Sequence, residues 1–151
     1  MTSLFQRKTM ERYNAKQQFI IAGYWLPVFV YCGLIFYLSS LQASEIPAPS
    51  LFQFIGDKNI HAIEYAILAV LCYRAFRRAA GPWAARYALV LSVIAAVAYG
   101  LTDEIHQVFV PTRDPSFLDL WADLIGASIG AGLVHASSRF SLRSTPLNSK
   151  R

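Results

Sequence analysis

Between positions 103 and 119 the chain carries Asp103, Glu104, His106, Gln107, Arg113, Asp114 and Asp119. Four carboxylates, an imidazole, an amide and a guanidinium so close together have definable chemistry. Hard carboxylate oxygens suit a divalent cation such as Mg²⁺, and Asp103, Glu104 and Asp119 are the candidates to gather one. Proton transfer needs an acid or base nearby, which nominates His61 and Glu64. The planar fork of Arg113 suits a phosphate, with Lys58 as a second positive charge. The stretch lies between two segments apolar enough to cross a bilayer. Ionisable groups at membrane depth are costly, so they face a bundle interior, pair with one another and mark a function. The sequence points to a place more clearly than to a reaction.

The elements that position these residues are four apolar blocks, roughly 19–39, 59–76, 86–109 and 117–138. The chain has 151 residues, 55% hydrophobic and 15% charged, which is the length of one domain. Each block approaches the ~20 residues that cross a hydrocarbon core. The expected fold is all-α, a polytopic membrane protein built as a four-helix transmembrane bundle. It divides into a basic juxtamembrane segment (1–18), the membrane domain (19–138) and a basic tail (139–151). The polar ends, 1–17 and 139–151, are expected to be mobile. Phe19 through Ser39 carries no charge. That run exceeds the ~7–15 residues of a signal core, and no small-x-small cleavage site follows, so it reads as an uncleaved anchor. Cys32 and Cys72 lie inside apolar blocks without ligand spacing and read as small buried hydrophobes.

Charge sets the expected orientation. Of 14 Lys and Arg, Arg7, Lys8, Arg12 and Lys16 precede the first block, and Arg74, Arg77, Arg78 and Arg86 flank the connection of the second and third. Arg139, Arg143, Lys150 and Arg151 follow the last, which leaves Lys58 and Arg113 for the other side. The positive-inside rule puts both termini in the cytoplasm. The net charge of +5 then reads as contact with anionic membrane lipids, not with nucleic acid. Of nine Asp and Glu only Glu11 falls on the cytoplasmic side, and Glu45 lies in the outer loop. The remaining seven come from three separate regions and converge on the outer leaflet. Residues 43–56, with Pro47, Pro49 and the run Leu51–Ile55, read as a loop that dips apolar side chains into the interface.

Helical spacing puts Asp57, His61, Glu64 and Tyr65 on one face of the second block, and Tyr99, Asp103, His106 and Gln107 on one face of the third. In the fourth, Asp119 and Asp123 lie one turn apart above Gly126 and Gly130, a small-x-x-x-small seam that admits another helix. Plainer readings stand beside these. Asp57 caps a helix; Ser116 with Asp119 forms a capping box; Asp114-Pro115 is a turn. Lys58 snorkels to the interface, and His106 is incidental. Glu64, Asp103, Glu104 and Asp123 escape capping explanations, and their plainer role is a buried ion-pair lock with Arg113, Lys58 or His61.

Together these residues resemble the VanZ-like family of small bacterial membrane proteins. The likeness rests on Ser39-Ser40, on Asp57-Lys58-x-x-His61-x-x-x-Tyr65, and on Asp103-Glu104-x-x-Gln107-x-Phe109-x-Pro111-x-Arg113. It continues through Ser116-x-x-Asp119-x-x-Ala122-Asp123-x-x-Gly126-x-x-x-Gly130 and covers roughly residues 25–135. Asp123 departs from the pattern, which carries Asn there. The resemblance implies the bacterial cytoplasmic (inner) membrane and work in the cell envelope. The family takes its name from a member linked to resistance against the antibiotic teicoplanin.

The expected work is recognition of an amphipathic envelope molecule at an outer-leaflet polar pocket. Candidate ligands are a lipid headgroup, a lipid phosphate such as polyprenyl phosphate, and a lipoglycopeptide-type antibiotic. Lys58, His61, Tyr65, Asp103, Glu104, Gln107, Arg113, Asp119 and Asp123 are its expected lining. Two alternatives stay open. One is a metal-assisted hydrolase or transferase acting on a lipid phosphate, with His61, Glu64, Asp103, Glu104 and Asp119 as catalytic candidates. The other is an assembly protein whose polar cluster only locks the bundle.

Overall fold

The computed structural model describes residues 2–41, 56–111, 113 and 116–143, with side chains over 17–41, 56, 58–111, 113 and 116–140. Every regular element among them is helical: α1 (Thr2–Ser39), α2 (Asp57–Ala79), α3 (Gly81–Arg86), α4 (Ala88–Gln107) and α5 (Phe117–Arg143). The basic leader expected to be mobile instead continues α1 down to Thr2, and α5 runs on to Arg143. The interfacial loop around Pro47 and Leu51–Ile55, the Asp57 side chain and the Asp114-Pro115 turn lie outside the described residues.

Three stretches are long and apolar enough to cross a membrane: Gln17–Ser39, Ala88–Gln107 and Phe117–Phe140, with mean hydropathies of 2.0, 1.7 and 1.5. The chain is thus a helical membrane protein. The 23 residues of α2 have the length of a span, but charges at both ends keep this helix out of the apolar class. It ends where Gly81, at φ 83°, turns the chain and Pro82 opens the short α3.

The most polar helix is also the central one. Helix α2 packs against α1, α4 and α5, and buries His61, Tyr65, Leu68, Ala69, Cys72 and Ala75. Its main partner is α5, and the two run parallel. Side-chain hydrogen bonds from Lys58 to Asp119, His61 to Asp123, and Tyr73 to His135 and Ser138 keep separations of 61 to 65 residues along the whole pair. The glycine seam explains how they come so close. A Cβ on Gly126 would overlap the carbonyl of Ala62, and one on Gly130 that of Ala66. Small residues four apart on α2 thus meet glycines four apart on α5, so two backbones touch where lipid provides no hydrophobic drive.

Helix α1 is held more loosely. Val28, Ile35 and Ser39 form its buried stripe, while Phe19, Leu26, Phe29, Phe36 and Tyr37 stay exposed. Cys72 is buried and Cys32 half-buried, both as free thiols.

Candidate functional site

One end of the bundle gathers the start of α2, the end of α4, the start of α5 and the end of α1. The parallel pair supplies two ionic contacts. Lys58 Nζ donates to Asp119 Oδ1 at 2.8 Å, and His61 Nδ1 donates to Asp123 Oδ1 at 3.1 Å. They differ in setting: the Lys58 side chain is 53% exposed, whereas Asp123 is fully enclosed. The His61 ring lies nearly parallel to that of Tyr65 one turn on, with centroids 6.2 Å apart. Glu64, on the same helix, is half-buried and within Coulombic range of His61, Asp103, Asp123 and Arg113.

Helix α4 adds a second layer. Gln107 Nε2 donates to Asp103 Oδ2 at 3.1 Å, a one-turn pair that orients one carboxylate oxygen. Glu104 reaches across to the start of α5, where its Oε2 accepts the Ser116 backbone N–H at 2.8 Å. Ser116 Oγ in turn accepts the Leu118 N–H at 3.2 Å. This revises the capping-box reading of Ser116 and Asp119. Ser116 does cap α5, but the carboxylate that returns to its N–H belongs to Glu104 on another helix. Asp119 is thereby left to meet Lys58.

The end of α1 is tied in by three contacts. Tyr99 donates its hydroxyl to the Cys32 carbonyl at 2.6 Å. Ser40 Oγ gives its hydrogen to Phe36 O at 2.6 Å, so in the 3.0 Å contact with His106 the Nε2–H is the donor. His106 also packs on the Phe36 ring, with centroids 4.4 Å apart, so it is a bridge between α4 and α1 and not incidental. Arg113 donates from Nε to Leu41 O and from Nη2 to Leu38 O at 3.3 and 3.4 Å. Two of its five donors therefore cover one carbonyl of the last turn of α1 and one just beyond it.

Gly100 was not anticipated. A Cβ there would collide with Asp123 Oδ2 and press on the Tyr65 ring. A glycine inside a helix costs about 1 kcal/mol against alanine, and its place one turn before Asp103 was the available signal.

Of the expected lining, His61, Tyr65, Asp103, Glu104, Gln107, Asp119 and Asp123 are all buried, Arg113 is half-buried and Lys58 sits at the rim. Several polar atoms have no hydrogen-bond partner among the described residues: Ser39 Oγ, Tyr65 OH, Asp103 Oδ1, Glu104 Oε1 and Asp123 Oδ2. Three carboxylates thus share one pattern, one oxygen tethered by protein and the other orphaned, which is expensive without a further partner. The donor atoms that converge within 4.8 Å belong to His61, Glu104 and Asp119. Compared with the expected metal set, His61 replaces Asp103, whose Oδ2 is engaged by Gln107. An imidazole among the donors favours a transition ion such as zinc over Mg²⁺. The His61–Asp123 bond matches the outer carboxylate that orients metal-bound histidines.

A groove of about 300 Å³ leads to this cluster between α4 and α5. Leu101, Ile105, Val108, Phe117 and Leu120 make its apolar walls, and Glu104 and Ser116 its polar end.

A family model described as VanZ/LLP1 matches residues 1–138. The chain belongs to the VanZ/LLP1 family. No curated protein and no solved structure matches it. Within this VanZ/LLP1 chain most of the described polar residues that carried the resemblance fall toward one end of the bundle, while Gly126 and Gly130 form the seam below them. Ser40, Lys58, His61, Gln107, Arg113 and Asp123 come from four separate regions, and each makes a hydrogen bond there.

Proposed function

We propose that this VanZ/LLP1 protein spans the bacterial inner membrane four times, with both termini cytoplasmic. Its outer-leaflet pocket then recognises an amphipathic envelope molecule. The observation that carries the reading is the groove between α4 and α5, apolar along its walls and ending on Glu104 and Ser116. Its volume of about 300 Å³ lies at the lower edge of the roughly 300–1,000 Å³ typical of ligand pockets. A hydrocarbon chain entering from the bilayer lies along Leu101, Ile105 and Leu120, and its polar head meets the buried cluster. The distribution of Lys and Arg supports the orientation. Helix α2 counts as the fourth span because its partner α5 neutralises Lys58 and His61 along the shared face.

The carboxylates of the cluster repel a bare phosphate. A lipid phosphate therefore requires a divalent cation held by His61, Glu104 and Asp119, with Lys58 and Arg113 at its rim. That trio also favours a second reading, metal-assisted hydrolysis of the lipid phosphate. There Glu64 takes a proton from the attacking water, whose oxygen bonds to phosphorus, and returns it to the lipid oxygen as the bond from phosphorus to that oxygen breaks, so the alcohol leaves protonated.

Thermal unfolding of the purified protein separates the readings, with polyprenyl phosphate, a lipoglycopeptide and Zn²⁺ or Mg²⁺ as probes. A ligand at roughly 100 times its Kd stabilises by about 2.7 kcal/mol. Ile105→Trp fills the groove from an exposed position and should abolish the shift while the unliganded melting point stays. Release of inorganic phosphate would select the hydrolase. No shift with any probe, together with early melting of Asp119→Asn, would leave the cluster as a structural lock.

A further inference from the structure

The opposite end of the bundle holds a larger cavity, of about 530 Å³. Tyr24 of α1, Tyr73, Arg74, Arg77 and Arg78 of α2, and Val134 and Ser138 of α5 line it. We propose that this cavity binds the phosphate group of a phosphoester through Arg74, Arg77 and Arg78.

Three observations support the assignment. The first is charge without compensation. Arg74, Arg77 and Arg78 stand three and four residues apart on one helical face, where like charges repel. Arg86 and Arg139 join Arg77 around a smaller adjoining cavity of about 110 Å³. Between Tyr65 and Thr102, and after Asp123, the sequence contains no Asp or Glu at all. All the carboxylates of α2, α4 and α5 lie toward the other end, so none of these three helices supplies the arginines with a counter-charge.

The second observation is a rigid floor. Tyr73 is buried, with its hydroxyl 3.0 Å from His135 Nδ1 and 3.2 Å from Ser138 Oγ. Ser138 gives its own hydrogen to His135 O at 2.7 Å, so Tyr73 donates to Ser138 and accepts from the His135 ring. These groups are committed to one another and fix the arginine face against α5. Arg77 is further steadied by donation from Nη1 to Ala85 O at 3.3 Å.

The third is the shape. A topological signal needs only positive charge near the interface and no cavity, whereas these arginines line one. Basic pockets between membrane helices on the cytoplasmic side are the physical setting in which anionic headgroups are held. The phosphate chemistry stands on the residues alone; its assignment to the inner leaflet rests on the topology proposed above.

The test uses the full chain in detergent, with Kd measured calorimetrically for dioctanoyl phosphatidic acid, dioctanoyl phosphatidylcholine, glycerol 3-phosphate and inorganic phosphate. Wild type should bind phosphatidic acid saturably and phosphatidylcholine far more weakly. Affinity should fall roughly fivefold per arginine removed, on the order of a hundredfold in Arg74→Gln/Arg77→Gln/Arg78→Gln. Replacing Arg7, Lys8 and Arg12 by Gln should leave the saturable component in place. Competition by glycerol 3-phosphate or inorganic phosphate would identify a soluble phosphoester as the ligand. Its absence would identify a lipid. Should the triple variant fail to fold, Arg74→Gln and Arg78→Gln singly report the same trend. Equal binding of both lipids, or arginine variants that bind like wild type, would overturn the proposal and leave the arginines as a topological signal only.

Discussion

The two ends of α2 manage charge in opposite ways. At its start Lys58 and His61 meet Asp119 and Asp123 of α5 at 2.8 and 3.1 Å, and charge is turned inward and paired. At its end Arg74, Arg77 and Arg78 are exposed around a cavity with no carboxylate beside them in the described residues. Yet the α2–α5 register is the same throughout, so backbone geometry does not cause the difference. The side chains that α5 offers do: acids in its first two turns, His135 and Ser138 toward its other end. Charge paired within the fold should govern stability, and charge left to a ligand should govern binding.

The strongest way to break this comparison is to separate the helices that both ends share. Gly126→Val places a side chain into the Ala62 backbone. It should cost about 3 kcal/mol or more, the upper range for overpacking, because backbone cannot step aside. Gly132→Ala, with nothing within 4 Å, is the control and should melt no earlier than wild type, gaining up to about 1 kcal/mol from helix propensity. Next comes the paired end. His61→Ala strands the enclosed Asp123 carboxylate and should cost about 3–5 kcal/mol in thermal unfolding. Asp123→Asn keeps shape and one acceptor for His61, and should be far milder.

A finer probe is the shared cap. Ser116→Ala removes the acceptor for the Leu118 N–H and should cost about 1 kcal/mol. At the arginine end, Arg74→Gln and Arg78→Gln should stay within about 0.5 kcal/mol of wild type without ligand. Destabilisation there beyond that of Ser116→Ala would show that these charges have partners within the fold, and the contrast between the ends would fail.

Much of this was legible in the sequence. Long apolar blocks announced the helices, and the glycine seam announced a close approach, because both follow from spacing along one chain. The convergence of Lys58, His61, Asp103, Glu104, Asp119 and Asp123 followed from counting which acids fall at which end. Partner choice was not legible. Nothing local says that the seam meets Ala62 and Ala66, or that Glu104, not Asp119, returns to the Ser116 N–H. Gly100 was passed over because its reason, room for the Asp123 carboxylate and the Tyr65 ring, lies on two other helices. The helical state of the leader was not legible from its polar composition, because Thr2–Lys16 extends a helix already nucleated in its apolar part.

The parallel pairing of α2 with α5 also bears on biogenesis. Helix α2 leaves the ribosome some 60 residues before the α5 segment that meets it, as the separations of 61 to 65 show. Until then Asp119 and Asp123, the carboxylates that meet Lys58 and His61, are not yet made, and polar groups in a membrane segment oppose its insertion. The helix at the middle of the finished protein is therefore the one least able to enter the bilayer on its own. The polar site is completed only once α5 has been made, because Asp119 and Asp123 close it.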